Sequence, residues 1–382
     1  MEFLKQTSYS LLAVACTLIS CAGHTYVSHR LDSRPAGWPA SGSSITRNSY
    51  VKIDMSAPPE LAWKKDFKIP LSIEPTVFDG IIFLPTATGE LWMLGQVSGK
   101  TVAKRKLKNP VTNSIVMPDS MTKADSIALI HDGSKKIHAI NWRSGKTIWE
   151  VEAGRFVIEP AIYADMALLF VPKIGIKCLR LLDGVRIWEF KTIDRIAGTA
   201  AVDSSAIYVT FENGRITCLS LEDGSIKWNF ETNGRLRNSP VLCGNSVLIC
   251  TTEGDIYNIE RREGKLLWHN KIDAIIIGNL AADGERIYAG SLNRSVYAID
   301  FETGESREIL NTDGPIVSAP TIINNHIFIT ALDHTIYCAD KNNGEIVFTY
   351  RTEGMLTVRA VIFDGKMLIA GEDGFLYCFK LK

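Results

Sequence analysis

Apolar and polar residues alternate in short runs along this chain, and a turn signal separates each run from the next. The stretch from Asn238 to Ile272, NSPVLCGNSVLICTTEGDIYNIERREGKLLWHNKI, shows the unit: runs too short for a helix, broken at Gly244-Asn245, Glu253-Gly254 and Glu263-Gly264. Alternation of period two marks a half-buried strand, and glycine takes the positive φ of a tight turn without steric cost. The stretch reads as a meander of four strands, A to D.

The unit recurs. Turn glycines stand at Gly145, Gly184, Gly224, Gly264, Gly304 and Gly344, one step of 39 residues and four of 40. Four residues after them come Trp149, Trp188, Trp228 and Trp268, then Glu308 as the exception, then Phe348. Six residues before them come Ala139, Cys178, Cys218, Asn258, Ala298 and Cys338, small groups in strand C. A period near 40 holding four short strands predicts a β-propeller, in which a blade buries its faces only by stacking on its neighbours.

Strand A begins near Pro75, Ile115, Pro160, Ala200, Pro240, Leu280, Pro320 and Ala360, which makes eight starts. All intervals are 40 residues except the 45 after Ile115, where the segment from Pro118 to Ser126 lengthens the A to B turn and Lys135 and Lys136 lengthen another. The last unit stops at Lys382 after strand C, while Trp63, near the other end, stands in the D-strand register. The expectation is an all-β, eight-bladed propeller of four-stranded antiparallel blades, occupying residues 59–382. Residues 61–68 would complete the eighth blade beside residues 374–381 and leave no open strand edge.

Lys5 precedes the apolar run LLAVACTLIS, and Cys21 follows it. This reads as a signal segment over residues 1–20, and Leu18-Ile19-Ser20-Cys21 resembles the lipobox of bacterial lipoproteins. That resemblance implies lipidation of Cys21 and a membrane anchor, with residues 21–58, rich in Gly, Ser and Pro, as a flexible tether. Ala22 and Gly23 follow the cysteine where enterobacterial lipoproteins kept at the inner membrane would carry aspartate, so an outer-membrane position with the propeller in the periplasm is expected.

Charge adds an exclusion. Lys plus Arg and Asp plus Glu both number 42, and a neutral chain lacks the basic excess of a nucleic-acid binder. Cys178, Cys218, Cys338 and Cys378 share one register with Ala139 and Ala298, so they read as small core residues and no disulfide is expected. Cys243 and Cys250 share one hairpin, whose turn would set Cys243 opposite Ser246. The seven histidines are scattered, with no zinc or phosphate motif, and His138 falls at a packed strand position. No cofactor and no metal site is predicted.

The segment AIDFETG from Ala298 to Gly304, with the tryptophan repeats, resembles the PQQ-like propeller repeat, and GWPASGSSITRNSY from Gly37 is similar to the leader of such chains. One branch, the quinoprotein dehydrogenases, implies an enzyme with a quinone and calcium at the channel; Glu74 and Glu159, each just before a strand A proline, are the carboxylates able to approach it. The adjacent Cys-Cys pair of those enzymes is missing here. The chain is more similar, in length, lipobox, leader and repeat number, to the BamB-type lipoproteins. That resemblance implies a non-enzymatic scaffold for outer-membrane β-barrel assembly, with an envelope protein as partner. A glycan- or peptide-binding propeller is a third reading, to which residues 104–112 would contribute.

A candidate docking surface follows from the register. Arg155, Arg195 and Arg235 each stand five residues before a strand A marker, and Arg237 follows two further on. Equivalent positions lie on one rim of the disc, so these arginines form a basic arc suited to forked hydrogen bonds with carboxylates or carbonyls. GRLRNSP, from Gly234, is similar to the partner-binding loop of BamB-type chains. The next loop departs from it, with Ile275 and Ile277 where aspartates would stand, and Ile276 between them extends an apolar patch beside the arginines.

Overall fold

The computed structural model describes residues 46–382 apart from 108, 119–125, 132, 134 and 155–157. The signal segment, Cys21, the first part of the expected tether, most of the long turn after Pro118, and Arg155 lie outside the described residues. All the regular elements described are strands, in eight sheets that follow one another along the chain: an eight-bladed propeller.

Blade 5 is representative. Strands Val241–Cys243, Ser246–Cys250, Asp255–Glu260 and Leu266–Lys271 pair in sequence order, all antiparallel, and Cys243 faces Ser246 across the first turn. Strands A and B are buried throughout, whereas the D strand exposes its alternate side chains. Strand A therefore lines the axis and strand D the circumference. Blade 2 departs from four strands: Ile127–His131, Lys136–Asn141 and Thr147–Glu152 form its sheet, and strand A is reduced to a single bridge between Val116 and Leu129.

In the last blade, Val361–Phe363, Lys366–Ala370 and Phe375–Lys380 are joined by Glu60–Asp66 from the other end of the chain, with Trp63 opposite Cys378. The six described cysteines are buried free thiols. Burial pushes the Cys178, Cys338 and Cys378 thiols up to about 12.

The periodic glycine and the periodic tryptophan are two halves of one contact. A Cβ on Gly224 would lie 2.6 Å from the Trp188 ring of the preceding blade, and the same holds for Gly264 on Trp228 at 2.6 Å and Gly304 on Trp268 at 2.7 Å. Each glycine also has φ near +74°, a conformation costly for other residues. The indole N–H closes the contact: Trp149, Trp188, Trp228 and Trp268 donate to the carbonyls of Leu181, Leu221, Arg261 and Phe301 in the next blade, at 2.8 to 3.1 Å. The Trp63 ring packs on Gly99 of the first blade likewise, at 2.8 Å from where a Cβ would stand, but its buried indole N–H meets no acceptor among the described residues.

The stretch expected as tether is shorter than its sequence suggested, because residues 46–57 belong to the fold. The carbonyls of Thr46, Asn48 and Ser49 accept from the amides of Leu242, Ala282 and Ile322, each 2.9 Å away, on the strand A edges of three successive blades. Tyr50–Val51 then pairs parallel to Thr321–Ile323, and the amides of Ser56 and Ala57 bond the carbonyl of Lys382. Arg47 is 3% exposed; its Nε donates to the carbonyl of Ala200 at 3.3 Å. The leader thus runs around the inside of the ring, touching one inner edge after another.

Candidate docking face and axial cavity

One end of the ring is built from the loops that join strand D of one blade to strand A of the next. In five of these loops the residue five before the strand A marker has the same backbone partner. The carbonyls of Arg195, Arg235, Ile275, Pro315 and Met355 accept from the amides of Glu212, Thr252, Leu292, Leu332 and Glu372, at 2.8 to 3.1 Å, in the B to C hairpin of the same blade. The next residue is apolar and turns inward: Ile196, Leu236, Ile276, Ile316 and Leu356 are all at most 3% exposed. The fixed backbone bond and the buried neighbour together aim the five-before side chain outward.

The predicted residues separate into two groups. Arg195, Arg235 and Ile275 are exposed on this face; Arg195 Nε lies 3.4 Å from Glu212 Oε1, and Ile275 is 53% exposed. Arg237 and Ile277 are exposed too, but they border a hollow on the axis. The guanidinium groups of Arg235 and Arg237 meet no carboxylate or carbonyl among the described residues. Ile276 belongs to the core, so the apolar patch expected from three isoleucines has two members.

Sequence reading missed the most exposed apolar residue on this face. Ile193 is 88% exposed, in a register where the other loops carry Asn233, Asp273, Asp313 and Glu353. With Ile174 and Ile226 it lines a hollow of about 620 Å³ edged by Lys173, Lys191 and Arg215. The signal was available, as the one apolar member of a polar column.

The axial cavity has a volume of about 480 Å³. Residues one before strand A ring it: Glu74, Glu159, Thr199, Ser239, Asn279 and Arg359. Arg359 Nε donates to Glu74 Oε2 at 3.0 Å, both side chains less than a tenth exposed, and its other arm donates to Ser49 of the leader. Arg47 of the leader lies 3.9 Å from Glu159. The two carboxylates anticipated near the channel do reach it, each against an arginine. The leader arginine escaped notice because residues 46–51 carry no repeat.

No aromatic side chain lines the cavity among the described residues, and none of their His, Cys, Asp and Glu side chains gather in threes at metal-ligand spacing. A planar quinone over a divalent cation needs a stacking face and free carboxylates, so these residues do not fit it; a sugar ring likewise finds no aromatic platform. Residues 104–106 lie away from the axis, in the outer strand Thr101–Lys106, where Lys104 pairs with Glu90 at 2.7 Å.

The family model described as outer membrane protein assembly factor BamB matches residues 43–163, 173–274 and 252–382, which together reach into every blade. The chain belongs to the BamB family. BamB from Moraxella catarrhalis superposes with a TM-score of 0.72 at 16% identity, over 85% of this chain and all of that one. The designed protein Ika8 gives 0.72 at 14% identity with the same coverage, and a europium-containing methanol dehydrogenase gives 0.77 at 10%, over 91% of this chain and 98% of that one. At such identities these likenesses describe the fold alone. No curated protein sequence matches the chain. BamB membership accounts for the repeats.

Proposed function

We propose that this protein is a non-catalytic scaffold, lipid-anchored through Cys21 on the periplasmic side of the outer membrane, that serves β-barrel protein assembly by docking a protein of the assembly machinery. The observation that carries the reading is the repeated D to A loop: one backbone bond per blade presents Arg195, Arg235 and Ile275 outward from a rigid frame, beside Ile193. Arginine forks next to exposed aliphatic side chains have the composition of a protein interface. BamB membership supplies the biological setting, and Arg155 stands in the same sequence register one repeat earlier. The partner contact is assigned to Arg155, Arg195, Arg235, Arg237, Ile275 and Ile277.

Co-purification from membranes tests the reading. The wild type is expected to capture components of the β-barrel assembly machinery, and combined charge reversal at Arg155, Arg195 and Arg235 to cut that capture at least tenfold without lowering the melting temperature. Undiminished capture by the reversed variant would remove the arc from the interface. Absence of assembly components from the wild-type eluate would overturn the scaffold role itself.

A further inference from the structure

The axial cavity, bordered by Arg237 and Ile277 of the proposed partner contact, holds an imbalance of charge. Two of its three cationic neighbours, Arg359 and Arg47, are engaged by Glu74 and Glu159. The third, Arg237, lines the same cavity and meets no carboxylate or carbonyl among the described residues. The same cavity holds donors without acceptors. Asn279 accepts from the Ser239 amide through Oδ1 at 2.9 Å, while its Nδ2 donates to no group among the described residues. Thr357 Oγ1 is buried with no hydrogen-bond partner among them. A buried polar atom without a partner costs about 1–3 kcal/mol, so native sites leave one mainly where a ligand or water completes it.

We infer that this cavity is a carboxylate-binding site that receives one acidic group of a polypeptide, with Arg237 as the charged partner and Asn279 and Thr357 as neutral donors. Three features point to this chemistry. The free charge is positive, and a guanidinium matches a carboxylate with two parallel hydrogen bonds. The internal acids are already neutralised and therefore do not repel the incoming one. Gly198 and Gly278 let the backbone approach closely: a Cβ at Gly198 would lie 2.6 Å from the Ser239 amide nitrogen, and one at Gly278 2.6 Å from the Ser318 carbonyl oxygen. These glycines keep neighbouring loops in contact around a hollow of about 480 Å³, which has room for a single side chain or a chain terminus rather than a folded surface. Beneath the cavity the leader carries Arg47 and Ser49 across the inner strands, so the site is approached from the docking face.

The inference rests on the proposed function only in taking this face as the one a protein partner approaches. Its test uses peptides and the full folded protein. Three capped probes are titrated: Ac-Gly-Asp-Gly-amide, Ac-Gly-Gly-Gly with a free carboxylate, and Ac-Gly-Asn-Gly-amide. Backbone amide resonances of Gly198 and Gly278 report occupancy. Saturable shifts with the first probe identify an acidic side chain as ligand, with the second a chain terminus; the asparagine probe should bind at least tenfold more weakly. Arg237→Ala should weaken binding at least tenfold, Arg237→Lys less, and Asn279→Asp should abolish it by placing a fixed negative charge in the mouth.

No shift from either carboxylate probe, equal shifts from the asparagine probe, or unchanged binding by Arg237→Ala would each overturn the site. Failure of the peptides while assembly components are still captured would remove the cavity alone. Peptide binding by a protein that captures none would remove the scaffold role alone.

Discussion

The blades are held to one another in two places that differ in kind. At the periphery the same contact recurs from blade to blade: an indole on the turn glycine of the next, its N–H on a carbonyl three residues before that glycine. At the axis the contact is made once, by a leader that offers successive carbonyls to the inner edges of blades 5, 6 and 7 and two side chains to their neighbours. A repeated contact must suit every interface and so leaves a column of like residues in the sequence. A single-copy contact leaves none, although it orders the axis beneath the cavity.

The comparison breaks most sharply at the tryptophan. Trp188 is 8% exposed, and its truncation to alanine empties a cleft between two sheets. Large aromatic truncations in cores cost about 3–5 kcal/mol, and the lost N–H bond to Leu221 leaves a buried carbonyl besides. Trp188→Ala should therefore destabilise the whole ring by about 4 kcal/mol in urea unfolding, with one cooperative transition. A loss below about 1 kcal/mol would mean that the peripheral contact is ornamental.

The axial contact should fail differently. Truncating the chain so that it begins at Lys52 removes three backbone hydrogen bonds, each worth about 1 kcal/mol net, the parallel pairing of Tyr50–Val51, and the leader's groups on Glu159 and Arg359. The expected loss is about 2–3 kcal/mol, smaller than that of Trp188→Ala. It should also be local: hydrogen exchange at Leu242, Ala282 and Ile322 accelerates, while amides of the second strands, such as Leu248 and Ile287, keep their protection. Exchange that rises evenly across all blades would make the leader part of the global core and erase the distinction.

What was legible in the sequence follows the same division. The period placed the strands, the Trp63 register and the small strand C residues, because each is dictated by a stacking geometry that repeats every blade. It also placed Glu74 and Glu159 beside the channel. It did not separate Arg235 from Arg237, since both flank the buried Leu236 and both are exposed, and only the closed ring shows that Arg237 also borders the axial cavity. Arg47 stayed invisible because nothing in ITRNSY repeats, and its partners Ala200 and Glu159 lie more than a hundred residues away in the chain. Long-range single-copy contacts have no local signature for periodicity to find.

Blade 6 lets the peripheral contact be dissected further, with the smallest expected effect. It has Glu308 where the other late blades have an aromatic, and its backbone differs as well. In blades 3, 4, 5 and 7 the register shift between strands C and D follows the small residue, as between Cys218 and Leu219, whereas in blade 6 it falls earlier, between Val296 and Tyr297. Ala298 consequently faces Arg307, and the carbonyl oxygen of Ile309 sits 1.7 Å from where a Cβ of Gly344 would stand. Backbone occupies the place that an indole fills elsewhere. If the bulge and the tryptophan form one device, restoring the side chain alone does little: Glu308→Trp should change stability by no more than about 0.5 kcal/mol, the range of ordinary surface substitutions. A gain above about 2 kcal/mol by chemical denaturation would show that the ring finds its place regardless of the bulge, and that the tryptophan alone makes the contact.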